Sequence, residues 1–549
     1  MKRYDAVIIG AGAGGGASAY ALTQQGLRVL ILEAGPSYAP DKDYLAGTSR
    51  WQKPFPQKAG SQGRYTYVLD QPLSKQWAHL RSWNHMTGYL NPEAKRVAFA
   101  YHHVRGVGGS SLHFTGEAHR MNPKSMQMWS QHGVAADWPV SYDMLEPYYV
   151  QAENIVGVAG PENDGIHPRS APYPYSPHAT GYTTHLLRKG FAAKGMRLVE
   201  NPLAVLPQPR AQRLNCNYCN CCLKGCPRKD KGSIDVTYLQ LAKASGLCEI
   251  RTECVVTRII TDGANDLVSG VEYYSAGKKQ FIKTPLLILA AGAVESPRLL
   301  LMSSSADSPN GLCNESGQVG KNFMETLLWT SNALYHSDLA SYRGLPVDSI
   351  CWDYNAPDAI PGVIGGCRFS PSVAESDLLG PVSYATRVVK GWGHQHKQEM
   401  RRTFGRVVSL SGICESLPHP KSFVSLDSAV KDVFGLPVAS IHSYVDEMAT
   451  KRIAFMAKQC RDILKAMGAT KIFEEFSSYD IFSSTHVFGT CRMGHDARHS
   501  VVNVDCRSHR WRNLYILDAS VFPSSGGGES PGLTIQALAL RAMDRFQSR

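Results

Sequence analysis

The sequence predicts a mixed α/β fold, a discontinuous Rossmann-like nucleotide-binding lobe joined to a second, sheet-based substrate lobe. Three observations predict it. A strand–glycine loop–helix–strand unit fills the first 33 residues. Two further strand–loop–helix units begin near Leu286 and Asn513. Aromatic- and proline-rich blocks lie between them.

In the first unit, Tyr4 to Ile9 is a β-branched run suited to a buried parallel strand. It leads into Gly10-Ala11-Gly12-Ala13-Gly14-Gly15, then a helix-forming stretch from Ala17 to Gln25, then a second strand, Leu27 to Leu32, ending on Glu33. This is the context in which a glycine motif binds a nucleotide. Gly10 permits the tight turn, Gly12 lets the backbone approach a pyrophosphate, and Gly15 lets helix and strand pack closely. The helix N-terminus faces the phosphate charge, and Glu33 is placed to accept hydrogen bonds from a ribose diol.

The middle unit has a strand at Leu286–Leu289, a close-approach turn at Ala290-Ala291-Gly292, and Ser296-Pro297 as N-cap and first helical residue. The last unit has a strand from Asn513 to Asp518, a Gly/Ser/Pro loop from Pro523 to Pro531, and an amphipathic helix from Leu533 to Phe546. The expected nucleotide lobe comprises 1–45, 98–160, 200–325 and 487–549. The expected substrate lobe comprises 46–97, 161–199 and 326–486.

Composition narrows the class. A chain of 549 residues, 43% hydrophobic and 19% charged, suits a soluble globular enzyme. The net charge of +12 comes from scattered residues with no long basic run or interleaved aromatic ladder, so no nucleic-acid partner is expected. The longest apolar stretch, Pro285 to Val294, is about half of a membrane span. Met1-Lys2-Arg3 precedes the first strand directly, so no signal peptide is expected. The chain is then cytoplasmic, or periplasmic by co-export with a signal-bearing partner.

Five of the 14 cysteines fall between Cys216 and Cys226, and the adjacent pair Cys221-Cys222 makes a poor disulfide framework. Cys216, Cys219, Cys222 and Cys226 before Pro227 have the C-x2-C-x2-C-x3-C-P spacing of bacterial ferredoxins. The stretch can also supply four ligands to zinc, or hold no metal at all.

Several segments in order resemble the glucose–methanol–choline (GMC) flavoprotein oxidoreductases. They are Arg105 to His113, Asp137-Trp138-Pro139 with Leu145 to Tyr149, Val319 to Met324, His486 to Gly494, and Asp518-Ala519-Ser520 with Pro531 to Leu540. The resemblance implies FAD, bound through Gly10, Gly12, Gly15, Glu33, Gly108, Gly109, Ser110, His113, Ala291, Gly292, Asp518, Ala519 and Thr534. His113 matches the position that carries a covalent flavin in some members. The cysteine stretch with Gly108 to Phe114 is similar to the catalytic subunits of bacterial sugar and polyol dehydrogenases. Those carry FAD and a three-iron, four-sulfide cluster, here matched by Cys216, Cys222 and Cys226, with Cys219 a fourth candidate. Cysteine-rich stretches also occur at this place in GMC long-chain alcohol and sterol oxidases.

The chemistry expected from the resemblance centres on His486, an imidazole whose ordinary pKa suits a general base. Ser530 stands where the family places His or Asn, a short hydrogen-bonding group and a poor base. Neighbouring Glu529 is expected at an exposed loop tip. The expected activity is oxidation of a sugar, glycoside or polyol hydroxyl, with electrons leaving through the iron–sulfur site. A small exported subunit and a cytochrome are the expected partners. The alternative is an oxygen-using alcohol oxidase without a cluster.

Overall fold

A computed structural model describes residues 3–44, 66–69, 71–81 and 95–547. Most of the block 46–97 lies outside them. At its centre is a five-stranded parallel sheet in the order Leu514–Ile516, Leu287–Leu289, Ala6–Ile9, Val29–Leu32 and Cys248–Arg251. The strands from the start, middle and end of the chain are therefore neighbours. Ile8 pairs with both Ile288 and Ile31, and Ile288 pairs with Tyr515. The first four of these strands are buried throughout, as their unbroken apolar sequences require for a parallel sheet covered on both faces. The fifth strand, Cys248–Arg251, is half-buried and carries its own ion pair, Arg251 to Glu249 at 2.9 Å. Such polar patterning marks an edge strand.

A second, antiparallel sheet runs in the order Cys367–Pro371, Val407–Cys414, Leu327–Leu334 and Lys471–Ser477. The helix Glu447–Ala466 packs on it, burying Ile453, Met456, Cys460 and Ile463 against Trp329, Phe369 and Leu410. Asp446 caps that helix, accepting from the Ala449 amide at 2.7 Å. Among the described residues, no helix is long and apolar enough to cross a membrane.

The helix after the middle strand differs from its sequence expectation. It spans Gly292–Met302, so Ser296 and Pro297 lie inside it and not at its start. A proline within a helix leaves the carbonyl of residue i−4 without its amide partner. That carbonyl belongs to Ala293, and the Thr490 hydroxyl donates to it at 2.7 Å. Thr490 thus ties the segment after His486 to this helix and lets the helix tolerate its proline.

The three units meet backbone to backbone at glycines. A Cβ on Gly14 would stand 1.6 Å from the Leu517 carbonyl oxygen, one on Gly15 2.0 Å from that of Gly10, and one on Gly10 2.5 Å from that of Ala290. Each collision is with backbone, which cannot swing aside. Gly14→Ala is therefore expected to destabilise the protein by about 1–3 kcal/mol or more, as overpacking does. Chemical denaturation checks this, and an unchanged midpoint would contradict it.

Candidate functional site

One cavity of about 660 Å³ runs from the glycine loop to the antiparallel sheet. Of the residues singled out in the sequence, Gly10, Gly12, Glu33, Gly109, Ser110, His113, Ala291, Gly292, Asp518, Ala519, His486 and Ser530 line it. Gly15 and Gly108 stand just behind its wall. Gly15 packs on the Gly10 carbonyl, and Gly108, at φ +109°, makes the left-handed turn into the short helix Gly109–His113. Thr534 is not brought to the cavity. Its hydroxyl is buried against the Tyr149 hydroxyl at 2.9 Å, on the opposite face of the last helix, whereas Gly532, Ile535 and Gln536 face inward. The helical period explains this: Thr534 and Gln536 are about 200° apart around the axis.

At the first end, Glu33 accepts from the amides of Ala11 and Gly35, both at 2.8 Å. Burial pushes its carboxyl up to about 7, against the pull of these amides and of Arg105. Asp518 fixes the crossing of the middle and last units, accepting from the Gly292 amide at 2.9 Å and the Ser520 amide at 2.8 Å. Gly12 differs from its neighbours: at φ −83° any residue is tolerated, and a Cβ there would meet nothing within 4 Å because it would project into open space.

At the other end stands His486, half-buried in the cavity wall. Desolvation lowers its pKa to about 4, with Arg368 acting in the same direction and Glu117 opposing it. The imidazole is neutral at ordinary pH and able to accept a proton. Ser530 is held on both sides. Its amide donates to His119 Nδ1 at 3.1 Å, and its hydroxyl donates to Glu117 Oε2 at 2.9 Å. With its proton turned to Glu117, the Ser530 oxygen offers lone pairs to the cavity. Glu117 also receives Arg368 at 2.8 Å and the Asn201 amide group at 3.1 Å. The Arg368 charge, with the hydrogen bonds from Ser530 and Asn201, outweighs burial and holds its carboxyl at about 2.

Sequence reasoning missed Glu117 and Arg368, which belong to no motif. It also missed His103, which lines the cavity with both ring nitrogens buried and without hydrogen-bond partners, its pKa lowered to about 4 by burial. Nε2 of His113 is likewise buried without a partner. Glu375, which also lines the cavity, is a fourth omission. Glu529 is not at an exposed tip. It is 3% exposed and holds the Gly-rich loop through the Asn122 amide at 3.1 Å and the Asn355 side chain at 2.9 Å. The polar and aromatic residues Asp348, Trp352, Asp353, Tyr354, Arg387, Trp392 and His394 of the 326–486 block do not line the cavity. Asp348 instead binds Gly181 and Thr184, Arg387 pairs with Glu474, and Trp392 is 89% exposed.

The cysteine stretch abuts the site through Leu223, which lines the cavity from the short turn Cys222–Lys224. All 14 cysteines are free. Among the described residues no three or more His, Cys, Asp or Glu side chains are arranged to hold a metal ion. The expected set Cys216, Cys219, Cys222 and Cys226 is therefore not assembled as ligands. The Cys226 thiol donates to Asp230 at 3.1 Å, the Tyr218 amide donates to the Cys216 sulfur at 3.3 Å, and burial pushes the Cys216 and Cys226 thiols up to about 12 and 11. Among the described residues this loop does not gather three such ligands, so no step is assigned to an iron–sulfur group. Lys231 is 1% exposed and donates to the carbonyls of Leu112, Phe114 and Cys222 at 2.9, 3.0 and 2.7 Å. It pins the cysteine turn to the Gly109–His113 segment.

Two family models, both described as GMC oxidoreductase, match residues 4–327 and 418–539. The chain is a GMC oxidoreductase. It is 29% identical to the fructose dehydrogenase large subunit of Gluconobacter japonicus, over 98% of this chain and 97% of that one. It is 28% identical to 2-methyl-1,2-propanediol dehydrogenase of Mycolicibacterium austroafricanum, over 99% and 95%. The fold is shared with the crystal structure of pyridoxine 4-oxidase from Mesorbium loti, with a TM-score of 0.64 at 18% identity across the whole of both chains.

Membership of the GMC family implies FAD, and the residues fit it. The open space at Gly12, the carboxylate at Glu33 and the length of the cavity suit a dinucleotide. Gly12→Val is therefore expected to leave the protein folded and to abolish FAD binding, checked by the circular dichroism spectrum and the bound flavin absorbance. Normal FAD content in this variant would contradict the assignment of the phosphate path.

Proposed function

We propose that the protein is an FAD-dependent dehydrogenase that oxidises a hydroxyl of a sugar, glycoside or polyol and passes the electrons to an acceptor other than oxygen. The observation that carries this reading is the continuous cavity with a nucleotide-type glycine loop at one end and a neutral, desolvated His486 at the other. FAD, when bound, supplies the acceptor for the hydride leaving the carbinol carbon.

His486 takes the hydroxyl proton at a ring nitrogen. Because desolvation keeps the imidazole neutral, it is in the accepting form before substrate arrives. Ser530 accepts a hydrogen bond from a substrate hydroxyl, its own proton being committed to Glu117. Arg368 holds Glu117 ionised, and its Nε donates to the Gly528 carbonyl at 3.0 Å, so it orients the loop that carries Ser530. The last helix begins at Gly532 on the cavity wall, where its positive end stabilises negative charge that builds up there. Likeness to a fructose dehydrogenase and a propanediol dehydrogenase supports a hydroxyl-bearing substrate and a non-oxygen acceptor. That the first is a large subunit supports a smaller partner subunit.

His486→Ala is expected to slow anaerobic flavin bleaching by roughly 10²–10⁴-fold with FAD still bound. Stopped-flow absorbance checks it, and an unchanged rate would remove His486 from the proton transfer. In the wild type, the bleaching rate should be lost as pH falls through about 4, where the imidazole takes up a proton before substrate can supply one. Turnover with an artificial dye is expected to exceed turnover with oxygen. Rapid peroxide formation at the dye-coupled rate would decide instead for an oxidase.

A further inference from the structure

The charged residues that line the cavity are satisfied by the protein, with one exception. Glu117 is held by Arg368, Ser530 and Asn201. Glu295 is held by Arg105 and Arg298, and Arg298 also pairs with Asp432. Glu33 and Asp518 accept backbone amides. Glu375 makes no hydrogen bond or ion pair among the described residues. It sits on the turn after the edge strand Cys367–Pro371, between the buried residues Ala374 and Ser376, and its exposed side chain lines the cavity.

The walls of the cavity together with the like charge of Glu117 push its carboxyl up to about 7, and a ligand that displaced the solvent there without bringing a donor would raise that cost. A donor arriving with the substrate removes that cost. The same part of the wall offers the apolar faces of Leu328, Ile413 and Phe476, with Thr330 and Ser411 bonded to each other at 2.7 Å. Apolar faces with a single free acceptor suit a polyhydroxy compound, whose C–H faces pack while one hydroxyl is fixed. Arg368 is already matched by Glu117, so the group formed by Glu117, Arg368 and Glu375 has no cation free for an anionic substrate.

The geometry points to Glu375 as a specificity-determining residue: it accepts a hydrogen bond from a hydroxyl or ammonium group of the substrate remote from the carbinol being oxidised, and it disfavours substrates with a carboxylate at that place. This rests on the proposed function above. The reacting hydroxyl is left to His486 and Ser530, so Glu375 acts through binding and not through the proton transfer.

The test is dye-coupled kinetics of the FAD-loaded protein with sorbitol, D-fructose, glucosamine and gluconate. Wild type is expected to favour the best hydroxyl- or amine-bearing substrate over gluconate. Glu375→Gln should lower kcat/KM for that substrate about 10–100-fold, carried mainly by KM, the range for losing a charged hydrogen bond. It should also narrow the preference over gluconate. Glu375→Asp, which keeps the charge on a shorter arm, should retain that preference, and it carries the test if the Gln variant fails to hold FAD. Preference for the hydroxyl source over the ammonium source, or the reverse, identifies the donor, and either agrees with the proposal. Wild-type turnover with an unchanged substrate order in Glu375→Gln would overturn this inference alone. Failure of every alcohol to bleach the wild-type flavin would overturn the proposed function and this inference with it.

Discussion

The structure depends on one close approach, the meeting of three distant chain segments at the carboxyl edge of the parallel sheet. Gly10, Gly14 and Gly15 press on the carbonyls of Ala290, Leu517 and Gly10 at distances no side chain permits. That contact brings the middle and last strands beside the first, so it also brings Gly292, Asp518 and Gly532 to the mouth of one cavity. Gly12, in the same loop, faces open space. Glycines three or fewer residues apart thus do different work: most close the fold, and one leaves room for a ligand.

A second constraint acts at the far end of the cavity, where titratable groups crowd together. His486 is neutral because burial disfavours its charged form, while Glu117 stays charged because Arg368 is beside it. The two groups face the same space in opposite states, each set by its immediate neighbours and not by its intrinsic chemistry. The arrangement gives a proton acceptor next to a fixed anion, with Ser530 tied to the anion and so unable to rotate its proton toward a ligand.

Much of this was legible in the sequence. Buried parallel strands announce themselves as unbroken β-branched runs, and the glycine loop carries its own spacing, so the central sheet and one end of the cavity followed from residues 4–33, 286–292 and 513–519. His486 came with a motif. Glu117, Arg368 and Glu375 did not, because each is an unremarkable charged residue until the antiparallel sheet is laid across the cavity. Helix phase decided against Thr534, and Thr490 allowed a helix to run through Pro297 where the local signal predicted a start. The cysteine spacing named a ligand set, yet among the described residues the side chains are not grouped as one. Spacing records how many ligands are near in sequence, whereas coordination depends on where the loop points them.

The most direct test of the account is a crystal structure of the FAD-loaded protein. The account predicts density filling this cavity, with the ribose hydroxyls on Glu33, the phosphates over Gly12, and the redox end of the cofactor against His486 and Ser530. A cofactor bound with its redox end away from His486, or outside this cavity, would contradict it.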